Sequence, residues 1–351
     1  MTLESKFLII RRDNIGDLVC TTPIFSALRK KFPASSIAAL VNSYNAEVLH
    51  RNPNLDALYA YTKAKHRDRQ SLLKVHWLRV KLLIRLRRQR FDYVIIAGQA
   101  TKEVLRTARF LRPSRLIRFA NDSPTNSGEI AVQPSSGPIH EAVDMLRLLE
   151  PLGIYDADPR PTVYPDPTAV RLARQAILSK AGQANGQLVG VHISSRKVSQ
   201  RWPTSHFAEL LNTLHKKNST TFVLLWSPGS ASEIRHPGDD EKARDLANIL
   251  GNVSVVAFPT PELRFLVAAL SLCDHVICSD GGAMHIAAAL RKPIVCLFGK
   301  SDSRRWHPLG APYRLLQPPS LDAKDISPAE VIAAYTELTR ARDAVISPGR
   351  D

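Results

Sequence analysis

Three polar stretches of this chain hold the side chains able to do chemistry. Asn14-Ile15-Gly16-Asp17 ends in a carboxylate. His192-Ile193-Ser194-Ser195-Arg196-Lys197-Val198-Ser199-Gln200-Arg201-Trp202-Pro203 sets adjacent hydroxyls beside several cations. Ser279-Asp280-Gly281-Gly282-Ala283-Met284-His285 puts a carboxylate before a glycine pair, and an alanine-rich run follows. A helix that starts right after a glycine turn presents unpaired N–H groups and the positive end of its dipole, which suits a phosphate. Asp280 would repel that phosphate, so its carboxylate reads as a partner for a sugar hydroxyl or as an orienter of the turn. His285 reads as a site group or as a buried helix histidine.

These stretches must be positioned by the elements around them. Phe7 to Ile10 is a short buried strand, and Arg11-Arg12-Asp13-Asn14-Ile15-Gly16-Asp17, which contains the first polar stretch, is the loop after it. A helix follows from about Asp17 to Lys31, with Leu18, Ile24, Phe25 and Leu28 apolar and Phe32-Pro33 as its stop. Ile37 to Val41 completes a βαβ unit. The loop therefore lies at the carboxyl end of a strand, where open α/β sheets bind ligands. No GxGxxG is present, so the dinucleotide fingerprint is absent. Tyr93 to Ile96 reads as a strand, 121–138 as a loop rich in Ser, Asn, Pro and Gly, and His140 to Leu149 as a helix.

The second half repeats the rhythm. Strands are expected at Leu188 to Ile193, Thr221 to Trp226, Val253 to Ala257, His275 to Cys278 and Ile294 to Phe298. Helices are expected at Ser205 to Lys216, Asp239 to Leu250 and Glu262 to Leu270. The alternation predicts parallel sheets with right-handed crossovers. Prolines 159, 161, 165 and 167 mark a linker. The expected division is an N-terminal Rossmann-like domain over 1–158, a Pro-rich linker over 159–170, a second such domain over 171–325, and a C-terminal helix and tail over 326–351 able to pack back across the domains. Two such domains would face a central cleft. Asp156-Ala157-Asp158 has the outline of a DxD metal motif but no third ligand in view, so no metal is expected.

A chain of 351 residues, 44% apolar, is long enough for two α/β cores. The formal net charge of +16 implies an anionic partner: nucleic acid, an anionic membrane surface, or an acidic glycan or lipid. The plainer reading is that the charge serves solubility. Cys20, Cys273, Cys278 and Cys296 form no CxxC pair and read as buried thiols in a reducing compartment. Phe7 to Ile10 is too short for a signal peptide, and no run approaches a membrane span. A cytoplasmic protein is expected, with any membrane contact peripheral at the inner face.

Lys63 to Arg90 holds eleven Lys or Arg residues against one acid, Asp68. Leu73, Trp77, Val80 and Ile84 recur at helical spacing, with Lys74, Lys81, Arg85 and Arg88 on another face. This is a basic amphipathic helix whose apolar stripe reads first as core packing. The density of charge favours an anionic surface or substrate.

The three polar stretches together resemble glycosyltransferase family 9, the ADP-heptose:lipopolysaccharide heptosyltransferases. The family has an (I/G)GD loop after its first strand, an H-x-(G/S/T)-(A/S/T) loop ending in WP, and a D-(S/T)-G-x-x-H signature. Here these read Ile15-Gly16-Asp17, His192 to Ser195 with Trp202-Pro203, and Asp280 to His285. The resemblance runs from about residue 6 to about residue 310. It implies a GT-B fold and inverting, metal-independent transfer from a nucleotide-diphosphate sugar, with ADP-heptose as donor and no cofactor. It implies that Asp17 is the general base for the acceptor hydroxyl. The competing reading of Asp17 is an N-cap that only secures the helix. Ser194 and Ser195 would meet the diphosphate, with Lys197 or Arg201 and the Gly281-Gly282 backbone stabilising its developing charge. Asp280 would hold the donor sugar and Glu233 the ribose, with His285 in the same signature. The acceptor would be an acidic glycolipid or glycan of the lipopolysaccharide core, bound by Lys74, Lys81, Arg85 and Arg88.

Two positions depart from the family pattern. Gln200 stands where a lysine is common, and Gly281 replaces a Ser or Thr. They leave open a degenerate, non-catalytic glycan-binding member. A nucleic-acid-binding protein is the other alternative, suggested by charge alone. No RRM, KH, zinc-finger or helix-turn-helix signature supports it, and no nucleic acid partner is expected.

Overall fold

The computed structural model describes residues 4–61, 72–121, 127–181, 186–217, 220–233, 237–251 and 253–346, and within these the side chains at 72–76, 181, 217 and 341–346 are not described. Residues 63–71 of the basic segment and 122–126 of the expected loop lie outside the described residues. The chain divides into two compact units, Met1–Tyr164 and Pro165–Asp351.

The first unit runs β1 (Lys6–Ile10), α1 (Ile15–Lys31), β2 (Ser36–Asn42), β3 (Ala57–Tyr61), α2 (Leu72–Arg88), β4 (Tyr93–Ile96), α3 (Lys102–Phe110), β5 (Arg115–Phe119), β6 (Glu129–Val132) and α4 (Glu141–Leu146). Its strands form one parallel sheet in the order β3-β2-β1-β4-β5-β6. The central strand β1 is apolar on both faces, as a parallel strand covered by helices must be. Leu8 and Ile10 pack with Leu40, Ile96, Leu86 of α2 and Ala108 of α3, while α1 packs against α4. Pro23 sits inside α1 and has no N–H for the carbonyl of Val19. The Thr22 hydroxyl donates to that carbonyl instead, at 2.7 Å.

The second unit runs α5 (Pro167–Ala181), β7 (Gln187–His192), α6 (Thr204–Lys217), β8 (Thr220–Trp226), α7 (Asp240–Leu250), β9 (Val255–Pro259), α8 (Leu263–Leu272), β10 (His275–Ser279), α9 (Gly282–Ala289), β11 (Ile294–Leu297), α10 (Ser303–Trp306), β12 (Tyr313–Leu316) and α11 (Pro328–Ile346). The order is β12-β11-β10-β7-β8-β9, again all parallel. Trp202, Phe207, Phe222 and Tyr335 anchor its core. The helix α11 packs on α6, β11 and β12 of this same unit. All four cysteines are free and buried.

Three expectations are corrected. The segment 121–138 is not all loop, because β6 forms the sheet edge there. Its Glu129 is 7% exposed and paired with Arg109 and Arg118, so ion pairing rather than apolar periodicity seats this strand. The proline-rich segment gives way to helix at Pro167, a first-turn position that suits proline. The apolar stripe of α2 does not pack into the core. Trp77, Val80 and Ile84 are 57%, 52% and 41% exposed, while Leu86 is fully buried. This helix has leucines on its opposite face as well, and those won the contact with the sheet.

Candidate functional site

In each unit the strand order reverses direction at one point, and the loops leaving the carboxyl ends there form the crevice where open α/β sheets bind ligands. In the first unit the point is β1/β4. In the second it is β7/β10. The polar stretches of the sequence fall on these loops.

At β1/β4 the organising residue is Arg11, 3% exposed. Its Nη2 lies 2.9 Å from Asp17 Oδ1 and 2.8 Å from Glu141 Oε1, and its Nε lies 3.1 Å from Asp13 Oδ2. Burial alone would lower the Arg11 pKa, but the charges of Glu141, Asp17 and Asp13 outweigh it and the net shift is upward. Asp17 Oδ2 also accepts from the backbone N–H of Asn14 at 2.9 Å, in a reciprocal capping box. Asp17 is therefore the third helical residue and Asn14 is the cap, which corrects the N-cap reading. Capping and binding Arg11 use different oxygens of one carboxylate, whose side chain remains 16% exposed.

The loop itself is clamped from β2 and the turn after it. Asn42 donates to the carbonyls of Arg12 and Asp13, Tyr44 to that of Asp13, and Asn45 to those of Asp13 and Asn14. Gly98, after β4, closes the crevice. A Cβ there would stand 2.7 Å from Asp13 Oδ2, and φ is +135°. Beside the crevice, Arg12 donates to the Tyr61 hydroxyl and pairs with Glu103, which also binds Arg79. The sequence places Arg11, Arg12 and Asp13 on this loop without a role, and gives none to Arg79, Glu103 or Glu141. The double arginine at 11–12 was the one available signal.

At β7/β10 the network is largely neutral. Gln200, 3% exposed, donates through its amide to Asp280 and, at 2.8 Å, to Ser301. It accepts from Ser195 at 3.4 Å. Lys197 reaches Ser301 at 3.3 Å. Ser194 accepts from the N–H of Ser227, and Arg201 donates to the carbonyl of Ser195. The turn Val198–Gln200 lies against Gly299 so closely that a Cβ there would fall 1.8 Å from the carbonyl oxygen of Ser199. From beneath, Lys242 donates to the carbonyls of Ile193 and Trp202 at 3.1 and 2.8 Å. Burial lowers the Lys242 pKa to about 8 and that of His192 to about 4, so His192 is neutral at pH 7. Burial also pushes up the thiols of Cys273, Cys278 and Cys296, leaving no thiolate nucleophile among them.

Gly281 caps α9, and a Cβ at that position would meet nothing within 4 Å. Gly282 opens the helix, and its neighbour His285 is 4% exposed with its ring edge-on to Trp306. Glu233 stands exposed on the separate loop after β8, its N–H on the carbonyl of Ser230. The structure thus links Ser195, Gln200, Asp280 and Lys197 through shared partners. Lys81, Arg85 and Arg88 lie exposed along α2, and the Lys74 side chain is outside the described residues. Asp158 is engaged by Arg160 at 2.6 Å. No cluster of three metal-binding side chains occurs among the described residues.

Two Rossmann-like units of six parallel strands, each with its polar loops at the switch point, define the class as a GT-B protein. The sequence profile of glycosyltransferase family 9 (heptosyltransferase) matches residues 79–325, and the chain belongs to that family and is a glycosyltransferase. It is 24% identical to lipopolysaccharide heptosyltransferase 3 of Escherichia coli, over 92% of this chain and 96% of that one. Among solved structures it resembles a family 9 glycosyl transferase from Veillonella parvula, with a TM-score of 0.79 at 21% identity, over 97% and 99% of the two chains. It also resembles the Escherichia coli heptosyltransferase WaaC with ADP, with a TM-score of 0.75 at 16% identity, over 95% and 99%.

Proposed function

We propose that this enzyme transfers a heptose from ADP-heptose, with inversion, to a hydroxyl of a lipopolysaccharide-core acceptor, and that it works in the cytoplasm. The kinship with lipopolysaccharide heptosyltransferases supports the sugar and the acceptor class, and the WaaC structure with ADP supports the nucleotide. No helix among the described residues is long and apolar enough to cross a membrane.

The observation that carries the chemistry is the Asp17 carboxylate, fixed by Arg11 and the Asn14 N–H. It takes the proton of the acceptor hydroxyl as that oxygen attacks the anomeric carbon. The bond from that carbon to the diphosphate oxygen breaks, and ADP leaves with the electron pair. The proton moves late, when bonding to an oxocarbenium-like carbon has acidified the hydroxyl. The leaving diphosphate is met by the Ser194 and Ser195 hydroxyls, Lys197 or Arg201, and the N–H groups at Gly281 and Gly282, donors aimed in advance. Asp280 holds the donor sugar, Glu233 the ribose, and His285 supports the α9 end of this site. Arg12 and Arg79, at the carboxyl edge, receive the acceptor's phosphates in place of the outward Lys81, Arg85 and Arg88.

Asp17→Asn is expected to cut kcat by about 10²–10⁴-fold with donor affinity unchanged. Turnover at the normal rate would remove Asp17 from the role. Signal from another sugar nucleotide and none from ADP-heptose, in a binding and hydrolysis screen, would overturn the donor while leaving the enzyme class intact.

A further inference from the structure

The outward face of α2 is built for a surface that is apolar and anionic at once. Trp77, Leu78, Val80 and Ile84 are all more than two-fifths exposed, and Lys81, Arg85 and Arg88 are exposed among them. At 100° per residue these seven share one half of the helix, so the cations adjoin the apolar stripe rather than taking a separate face, and the other half, with Leu82, Leu83 and Leu86, meets the sheet. The Lys81 ammonium lies 3.3 Å from the centroid of the Trp77 ring, so cation and indole form one unit. Phe110 of α3 extends the face, 39% exposed beneath the Arg87 guanidinium at 4.8 Å. The helix carries no acid at all. Exposed apolar area of this kind, ringed by charge of one sign, marks an interaction surface.

The occupant follows from charge. A second copy would set Lys81, Arg85 and Arg88 against their own images, which like-charge repulsion opposes. Nucleic acid would satisfy the cations but leave Trp77, Val80 and Ile84 without a partner. A bilayer interface rich in anionic lipid satisfies both: headgroup phosphates take the cations while the apolar residues enter the acyl boundary.

We propose that α2 docks this enzyme on an anionic bilayer, lying in the interface plane with Trp77, Val80 and Ile84 inserted. From Trp77 to Arg88 the docking face is about 16 Å long. Its other end is set by Arg79, which turns inward to Glu103 at the start of α3 and so belongs to the carboxyl edge of the sheet. One helix thereby divides its cations between the crevice and the membrane. The proposal does not depend on which sugar is transferred.

Full-length protein is mixed with vesicles of phosphatidylcholine containing about one-third phosphatidylglycerol and, separately, with pure phosphatidylcholine, and partition is measured by co-sedimentation. Wild type should favour the anionic vesicles by at least about tenfold. The triple variant Trp77→Ser, Val80→Ser, Ile84→Ser should lose at least about tenfold of that partition and keep its turnover of a delipidated oligosaccharide acceptor. Lys81→Glu, Arg85→Glu, Arg88→Glu should abolish the preference for anionic lipid. Brominated lipid should quench wild-type tryptophan emission, and Trp77→Ser should remove that quenching. Unchanged partition of the serine variant would overturn insertion. Absence of wild-type partition, or a wild-type dimer that the serine variant converts to monomer in light scattering, would overturn the membrane assignment. Loss of turnover with ADP-heptose alone would count against the donor reading and leave this result standing.

Discussion

The two switch-point loops solve one positioning problem by opposite means. The β1 loop is held by ions: one buried guanidinium shared by Asp13, Asp17 and Glu141. The β7 loop is held mostly by neutral groups, the Gln200 amide, the hydroxyls of Ser195 and Ser301 and main-chain carbonyls, with single charges from Asp280 on the amide and Lys242 on the carbonyls. The contrast matches what each loop is proposed to handle. A loop that must hold a carboxylate in its ionised form benefits from a fixed cation. A loop that must receive a diphosphate benefits from donors not already neutralised by acids, and the Asp280 carboxylate at this site is occupied by the Gln200 amide.

The sharpest way to break the comparison is Arg11→Met. It leaves two largely buried carboxylates without their cation, and removing one partner of a buried pair costs about 3–5 kcal/mol. The urea midpoint should fall accordingly, with activity lost at temperatures where the variant is still folded. Combining it with Glu141→Leu should recover part of the stability and none of the activity. On the neutral side, Gly299→Ala forces the turn Val198–Gln200 away, and a loss of about 1–3 kcal/mol is expected, read as weakened nucleotide affinity in calorimetry. A small effect there would mean that backbone docking is not what holds the β7 loop.

The pH dependence separates the loops more gently. His192 has a folded pKa near 4 against about 6.5 when unfolded. The unfolded chain therefore takes up its proton first as pH falls. The stabilisation is complete above pH 6.5 and is lost as pH drops toward 4, by at most about 1.4 kcal/mol per pH unit. Subtracting the profile of His192→Asn from that of wild type isolates the effect in urea titrations. The smallest effect is expected at Gly281→Ser, where a Cβ meets nothing within 4 Å. Stability should change by less than about 0.5 kcal/mol. A rise in donor affinity would show that the missing hydroxyl tunes this site.

Legibility from sequence followed the range of the interactions. The strands, and the loops at their carboxyl ends that carry Asp17, Ser195 and Asp280, were readable because strand, turn and helix signals are local, while the roles proposed for those residues rest on the family resemblance. Glu141 was not, because it meets Arg11 across 130 positions of sequence and lies in a helix that looks ordinary. Nor was the partnership of Gln200 with Ser301, since a departure from a motif does not reveal what replaces it. The orientation of α2 failed for another reason. With apolar residues on two faces, periodicity fixes the helix but not which face meets the sheet. Packing of Leu86 against Leu8 and Val94 decided it.

The carbonyls of Arg12, Asp13 and Asn14 are gripped by Asn42, Tyr44 and Asn45 before any sugar arrives. Holding a residue's backbone in one conformation costs about 1–2 kcal/mol of entropy. For this loop the cost falls at folding, so the acceptor proposed for it would meet a socket that is already set, with its own binding energy left for alignment.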